Sequence, residues 1–232
     1  MKTLLNTILA AGILASAAST HAATVFSQNF DTSPVNYTLP ANSTLIHQGT
    51  KYWELSKNLG ADLNPSILGN TTNYLTGQNM DAALPFAEAA PAQIDFAVNV
   101  AGFSNFTLSI DLAGLPSAET ANFVRAFTDN DGDGVYETSV FNFVGSNNSP
   151  YIDAVTGGQL SATFQTFSNF ALSAPTAADQ NLRVRFELFN DTDSLNEALA
   201  MDNIVVTGIP EPTTGLLIFT GLLGLASRRR KG

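Results

Sequence analysis

Leu182-Arg183-Val184-Arg185-Phe186-Glu187-Leu188 alternates apolar and charged residues without a break. In an extended strand, successive side chains point to opposite faces. Leu182, Val184, Phe186 and Leu188 therefore share one face, and Arg183, Arg185 and Glu187 share the other. A helix would scatter these apolar residues around its axis, whereas a half-buried strand collects them. Two upstream stretches repeat the pattern. Ile94, Phe96, Val98 and Val100 are separated by Asp95, Ala97 and Asn99; Phe106, Leu108, Ile110 and Leu112 are separated by Thr107, Ser109 and Asp111. Working outward, further strands are expected over residues 25–30, 52–55, 122–127, 135–143, 160–170 and 200–206. Clusters such as Leu115-Pro116-Ser117, Gly145-Ser146-Asn147-Asn148-Ser149-Pro150 and Thr156-Gly157-Gly158 supply the turns. The best helical candidate is a turn or two around residues 194–199, and residues 59–92 alternate weakly enough to suggest long loops. About nine or ten short strands with polar turns predict an all-β fold, an antiparallel jelly-roll-like β-sandwich.

Composition narrows the chemistry. The 232 residues carry 10 Lys and Arg against 20 Asp and Glu, for a formal net charge of −10, with no Cys and two His. The missing Cys excludes zinc fingers, thiol redox motifs and cysteine nucleophiles. So acidic a chain lacks the basic stripe that nucleic acid requires. Residues 23–209 hold 19 acids against 5 bases, a net of −14, because four bases cluster at 228–231 and one lies at Lys2. Sixteen Phe and 44% apolar residues provide ample material for one core.

Both flanks of the strand-rich region read as addresses. Lys2 is followed by an apolar run over residues 4–18, and then by Thr20-His21-Ala22 with small residues at the −3 and −1 positions of a cleavage site. This is the pattern of a secretory signal peptide, an N-terminal signal helix cleaved between Ala22 and Ala23. The alternative is a buried helix, but no cap or polar face interrupts the run. At the other flank, Pro210-Glu211-Pro212 stops any preceding strand. Residues 213–227 are then free of charge, and Arg228-Arg229-Arg230-Lys231 follows. An apolar run of about 15 residues is short for a helix crossing a bilayer, which needs about 20. The basic cluster would hold its far end on the cytoplasmic side. The expected organisation is a signal peptide at 1–22, a β-sandwich domain at 23–208, and a sorting segment at 209–232 with a short C-terminal hydrophobic helix as its transmembrane part.

Pro210-Glu211-Pro212, a Gly/Leu-rich apolar segment from Gly215 to Ala226, and the cluster Arg228, Arg229 and Arg230 together resemble the PEP-CTERM sorting signal of Gram-negative bacteria. The resemblance implies that an exosortase, a membrane cysteine peptidase, recognises the tail and that processing occurs around Pro210, Glu211 and Pro212. It also implies only transient inner-membrane insertion before release to the cell envelope, the outer surface or the medium. It marks the protein as a substrate, and points to exopolysaccharide-producing bacteria and biofilm. The opening Val25-Phe26-Ser27-Gln28-Asn29-Phe30-Asp31 and the closing Met201-Asp202-Asn203-Ile204-Val205-Val206-Thr207-Gly208 resemble the first and last strands of bacterial jelly-roll modules.

The densest chemical constellation is Asp129-Asn130-Asp131-Gly132-Asp133-Gly134-Val135-Tyr136-Glu137. Aspartates at alternate positions of a tight loop can converge on one hard cation, as in the opening of an EF-hand calcium loop. Asp129, Asp131 and Asp133 would donate carboxylates, Val135 its backbone carbonyl, and Glu137 the ninth-position oxygen. Val140 stands where that loop requires a bidentate Glu, and no helices flank it. The competing reading is a hairpin turn that uses the residues turns favour. Asp202-Asn203 is weighed as a second oxygen site against a strand-entry turn.

Catalytic signatures are missing. After signal removal His47 is the remaining histidine, and no Gly-x-Ser-x-Gly accompanies it. The strand acids Asp95, Asp111 and Glu187 fall on the face expected to be solvated, so no catalytic residue is assigned and no enzyme is expected. Adjacent Tyr52 and Trp53 point to opposite faces of a strand, leaving one ring available to stack on a sugar. The alternative function is therefore a carbohydrate-binding module for exopolysaccharide.

Overall fold

The computed structural model describes residues 21–31, 37–40, 46–48, 51–56, 72–78, 91–116, 118–147, 149–190 and 198–211. The expected signal helix, the apolar tail and most of the helical candidate at 194–199 lie outside them; Leu199 itself opens a strand. The chain folds into twelve strands among these residues: β1 Ala23–Gln28, β2 Ile46–Gln48, β3 Lys51–Ser56, β4 Tyr74–Gln78, β5 Ala92–Asn99, β6 Phe103–Gly114, β7 Phe123–Asp129, β8 Thr138–Val144, β9 Ile152–Asp153, β10 Gln165–Leu172, β11 Asn181–Phe189 and β12 Leu199–Pro210. All their pairings are antiparallel.

Two sheets result. The seven-stranded sheet runs β10-β6-β12-β4-β3-β2, and β1 also pairs with β12. β4 and β1 share one edge of β12 in succession, at Leu199–Met201 and then at Ile204–Gly208. The five-stranded sheet runs β5-β11-β7-β8-β9. The stretch that opened the reading is β11, the second strand of that sheet. Leu182, Val184, Phe186 and Leu188 are all buried there, as the alternation requires.

The sheets face one another and form a β-sandwich. Their inward residues make one apolar core that includes Ile94, Phe96, Leu108, Ile110, Phe141, Phe186 and Met201. Aromatic rings cross the interlayer space. Phe141 of β8 meets Phe170 of β10 at 4.9 Å, Phe143 meets Phe167 at 4.9 Å, and Phe26 of β1 meets Phe96 of β5 at 5.2 Å. Such ring pairs add about 0.5–1.5 kcal/mol each beyond the area they bury.

Register places the loops. The β5–β6 turn at residues 100–102 leads to Phe103, which lies opposite Pro210. Asn181 lies opposite Asn99, and Arg183 lies opposite Asp129. The β7–β8 loop, the β10–β11 loop, the start of β1 and the end of β12 therefore gather at one pole of the sandwich.

Two features of the expected pattern are corrected. Residues 59–92 contain β4, whose five residues are all buried, so its side chains never alternate with solvent. Glu187 is buried at 8% exposure instead of standing on a solvated face, because partners from neighbouring strands neutralise it.

Candidate functional site

The acidic turn links β7 to β8 at that pole. Asp129 ends β7 with its side chain fully buried, and its carboxylate accepts two backbone hydrogen bonds, from Gly132 N–H at 2.6 Å and Gly134 N–H at 3.0 Å. Asp131 accepts from Asp133 N–H at 3.2 Å, and Asp133 accepts from Val135 N–H at 2.7 Å. Gly132 and Gly134 sit at φ +80° and +89°, a region that L side chains rarely adopt. The turn is thus built by its own carboxylates. Carboxylate oxygens of Asp129, Asp131 and Asp133 lie within 4.8 Å of one another, and the group stops at these three among the described residues. Val135 and Glu137 follow on the same exposed loop before β8 begins at Thr138.

The β10–β11 loop packs against this turn, with Thr176 N–H donating to the Asn130 carbonyl at 2.7 Å. Arg183 pairs with Asp179, whose acidity is increased first by the Asn181 backbone N–H and then by Arg183. Behind the turn, the outer face of the five-stranded sheet carries cross-strand ion pairs. Arg185 grips Asp95 with Nε and Nη2, both at 2.7 Å, and stacks 4.1 Å from the Tyr136 ring centroid. Burial, and then the Asp95 carboxylate, push the Tyr136 phenol up to about 12. Arg125 holds Glu187 at 2.8 and 2.7 Å and lies 4.1 Å from the Phe123 ring centroid, while Gln93 donates to the other oxygen of Glu187 at 2.8 Å.

Tyr52 and Trp53 fall on β3, opposite Gln78 and Gly77, and His47 falls on β2 opposite Tyr52. Which of the two rings faces out rests on side chains outside the described ones. Asp202-Asn203 does not form a strand-entry turn. It lies inside β12 at a bulge, with Asp202 buried and Asn203 at φ 48°. Asn203 Nδ2 donates to Asp111 at 2.8 Å, and Thr166 Oγ1 donates to the other Asp111 oxygen at 2.6 Å.

The two positions at which processing is expected lie at the same pole. Ala23, which follows the expected signal cleavage after Ala22, is the first residue of β1 and lies opposite Gly208. Ile209 and Pro210 continue β12 opposite Ser104 and Phe103, and Glu211 N–H donates to the Gly102 carbonyl at 2.8 Å. Pro212 and Arg228, Arg229 and Arg230 lie outside the described residues.

A family profile described as the PEP-CTERM protein-sorting motif matches residues 208–231. The chain carries a PEP-CTERM sorting motif. That motif implies export and processing by an exosortase, and its first three residues are also the last three of β12. Curated protein sequences contain no match to the chain. Among solved structures, the K3 cleaved adhesin domain of Lys-gingipain from Porphyromonas gingivalis is similar at 12% identity, covering 81% of this chain and 99% of that one, with a TM-score of 0.45. A Stig cyclase from Fischerella sp. covers 82% and 100% at 11% identity and a TM-score of 0.48. A family 22 carbohydrate-binding module from Clostridium thermocellum covers 82% and 96% at 11% identity and 0.43. Likeness at this level carries no statement about function.

Proposed function

We propose that this protein is an exported, non-enzymatic component of the cell envelope or extracellular matrix, with a jelly-roll-like body and a tail that an exosortase-type membrane peptidase removes. The observation that carries this reading is the sorting motif at 208–231, joined without a spacer to the last strand of a β-sandwich. The tail inserts transiently in the inner membrane, Arg228, Arg229 and Arg230 hold it there, and the body passes on to the outer surface or the medium. Replacing Pro210-Glu211-Pro212 by alanines should leave the tail uncut and the protein in the inner-membrane fraction. Unchanged processing and location would remove the reading.

The body is calcium-stiffened in this proposal. Asp129, Asp131 and Asp133 converge closely enough to share one ion, with the Val135 carbonyl and Glu137 completing it, at the weak affinity of extracellular sites, about 10⁻⁴ to 10⁻³ M. A second reading, carbohydrate binding to exopolysaccharide, draws support from the outer face of the five-stranded sheet, where fixed polar groups (Asp95, Arg185, Arg125, Glu187) lie beside half-buried rings such as Tyr136. A glycan array separates the two. Reproducible binding lost on Tyr136→Ala, or on replacing Tyr52 or Trp53, favours the module, and an empty array favours the matrix protein.

A further inference from the structure

The segment to be processed is part of the folded sheet. One edge of β12 is occupied as far as Glu211: Ile209 lies opposite Ser104, Pro210 opposite Phe103, and the Glu211 N–H is held by Gly102. The other edge is covered by β1 up to Gly208. Gly208 itself is seated against aromatic side chains, since a Cβ there would meet the Phe106 ring at 2.9 Å. From Glu211 to the first residue of the uncharged run, Thr213, there are two residues, which reach at most about 7 Å when extended. A membrane peptidase therefore meets Pro210-Glu211-Pro212 while the sandwich presses on it. Peptidase clefts bind an extended segment through its backbone groups, much as a sheet edge accepts an added strand, and here those groups are already in use along one edge.

We propose that the β5–β6 turn (Ala101, Gly102, Phe103) and the end of β12 act as a latch, and that tail removal requires residues 209–211 to unpair from residues 102–104. The inference rests on the reading that processing occurs at Pro210-Glu211-Pro212. Strand ends open locally at low cost compared with global unfolding, so the latch tunes a rate and does not abolish it. The peptidase captures only the open fraction, and the observed rate scales with that fraction. Folding of the body thereby closes the latch, and each further rung of pairing slows release from the membrane.

The test uses the full chain in cells that process it, with tail removal followed by pulse-chase. The protein has no cysteine, so an engineered pair is the only disulfide it can form. Ser104→Cys with Ile209→Cys staples the latch and should slow removal tenfold or more, with reductant restoring the rate. Thr107→Cys with Thr207→Cys is the control. Its hydroxyls are 2.8 Å apart, so it fastens β12 just before the latch and should leave the rate unchanged. A six-residue Gly-Ser insertion between Ile209 and Pro210 leaves Pro210-Glu211-Pro212 and the tail behind it intact, carries them clear of the sheet, and should speed removal several-fold. Rates insensitive to both the 104/209 staple and the insertion would overturn the latch, and so would equal slowing by both staples. In either case the processing reading would survive, provided that alanines at Pro210-Glu211-Pro212 still block removal. If those alanines change nothing, the processing reading falls first and takes the latch with it.

Discussion

At the residue scale, Asp129 is a structural part of the turn as well as the first member of an aspartate triplet. Its spacing to Asp131 and Asp133 is visible in the chain, but its burial is not. Its oxygens accept N–H donors from Gly132 and Gly134, so Asp129 shapes the turn whether or not an ion is present. Removing it loses both of these bonds, at about 0.5–1.5 kcal/mol each. Asp129→Ala should therefore lower the melting temperature already in EDTA, and by more in calcium, where the ion's contribution is lost as well. Asp131→Ala with Asp133→Ala removes exposed side chains and two exposed turn hydrogen bonds, so it should lower the melting temperature little in EDTA and clearly more in calcium; an equal loss in both would end the metal proposal. Next to Asp129, the Thr128 hydroxyl is buried without a partner among the described residues. Thr128→Val removes that orphan while keeping the shape, and should raise stability by about 1 kcal/mol in a denaturant titration.

At the element scale, legibility followed how each strand is buried. β5, β6 and β11 have one face in the core and one outside, so period two exposes them in the sequence. β4 (Tyr74-Leu75-Thr76-Gly77-Gln78) is buried on both faces and carries a glycine, so it shows no alternation. β2 has three residues, too few for any period to register. Charge partners were equally hidden, because Asp95 and Arg185 are 90 positions apart and only register brings them together. Their ladder includes Tyr136, whose phenol is pushed up to about 12 by burial and then by Asp95. An unfolded tyrosine ionises near about 10. Above that pH the unfolded chain releases the proton while the folded one retains it. The stabilisation present below about pH 10 is therefore lost between about pH 10 and 12. Tyr136→Phe keeps the ring beside Arg185 and should show a shallower fall of melting temperature over that window. A parallel fall in both proteins would mean that other groups govern it. Among connections, Gly145 is the most constrained. A Cβ there would lie 2.0 Å from the Glu119 carbonyl oxygen, so Gly145→Ala must displace backbone and should cost about 2–3 kcal/mol in equilibrium unfolding.

At the scale of the whole molecule, the sorting motif was legible because it is a local string, whereas the meeting of its first residues with Ala23 at one pole is a product of the fold. Ala23 lies opposite Gly208, and Glu211 is bonded to Gly102, so the sandwich closes on itself beside the tail. The same pole bears Asp129, Asp131 and Asp133, which places the acidic turn on the side of the body from which the tail leaves. The cooperative fold should accordingly extend through Glu211 and not stop where the sorting motif begins at 208. A body of residues 23–207 loses the pairs Ala23–Gly208, Ile209–Ser104 and Pro210–Phe103 together with the Glu211–Gly102 hydrogen bond. At about 0.5–1.5 kcal/mol per net hydrogen bond, the loss is about 2 kcal/mol. For a domain of this size it corresponds to about 4–8 °C. Calorimetry of bodies spanning 23–211 and 23–207 should show that difference, with the longer one the more stable. Identical melting temperatures would mean that residues 208–211 contribute nothing to the fold, and the sheet would then offer no resistance to processing.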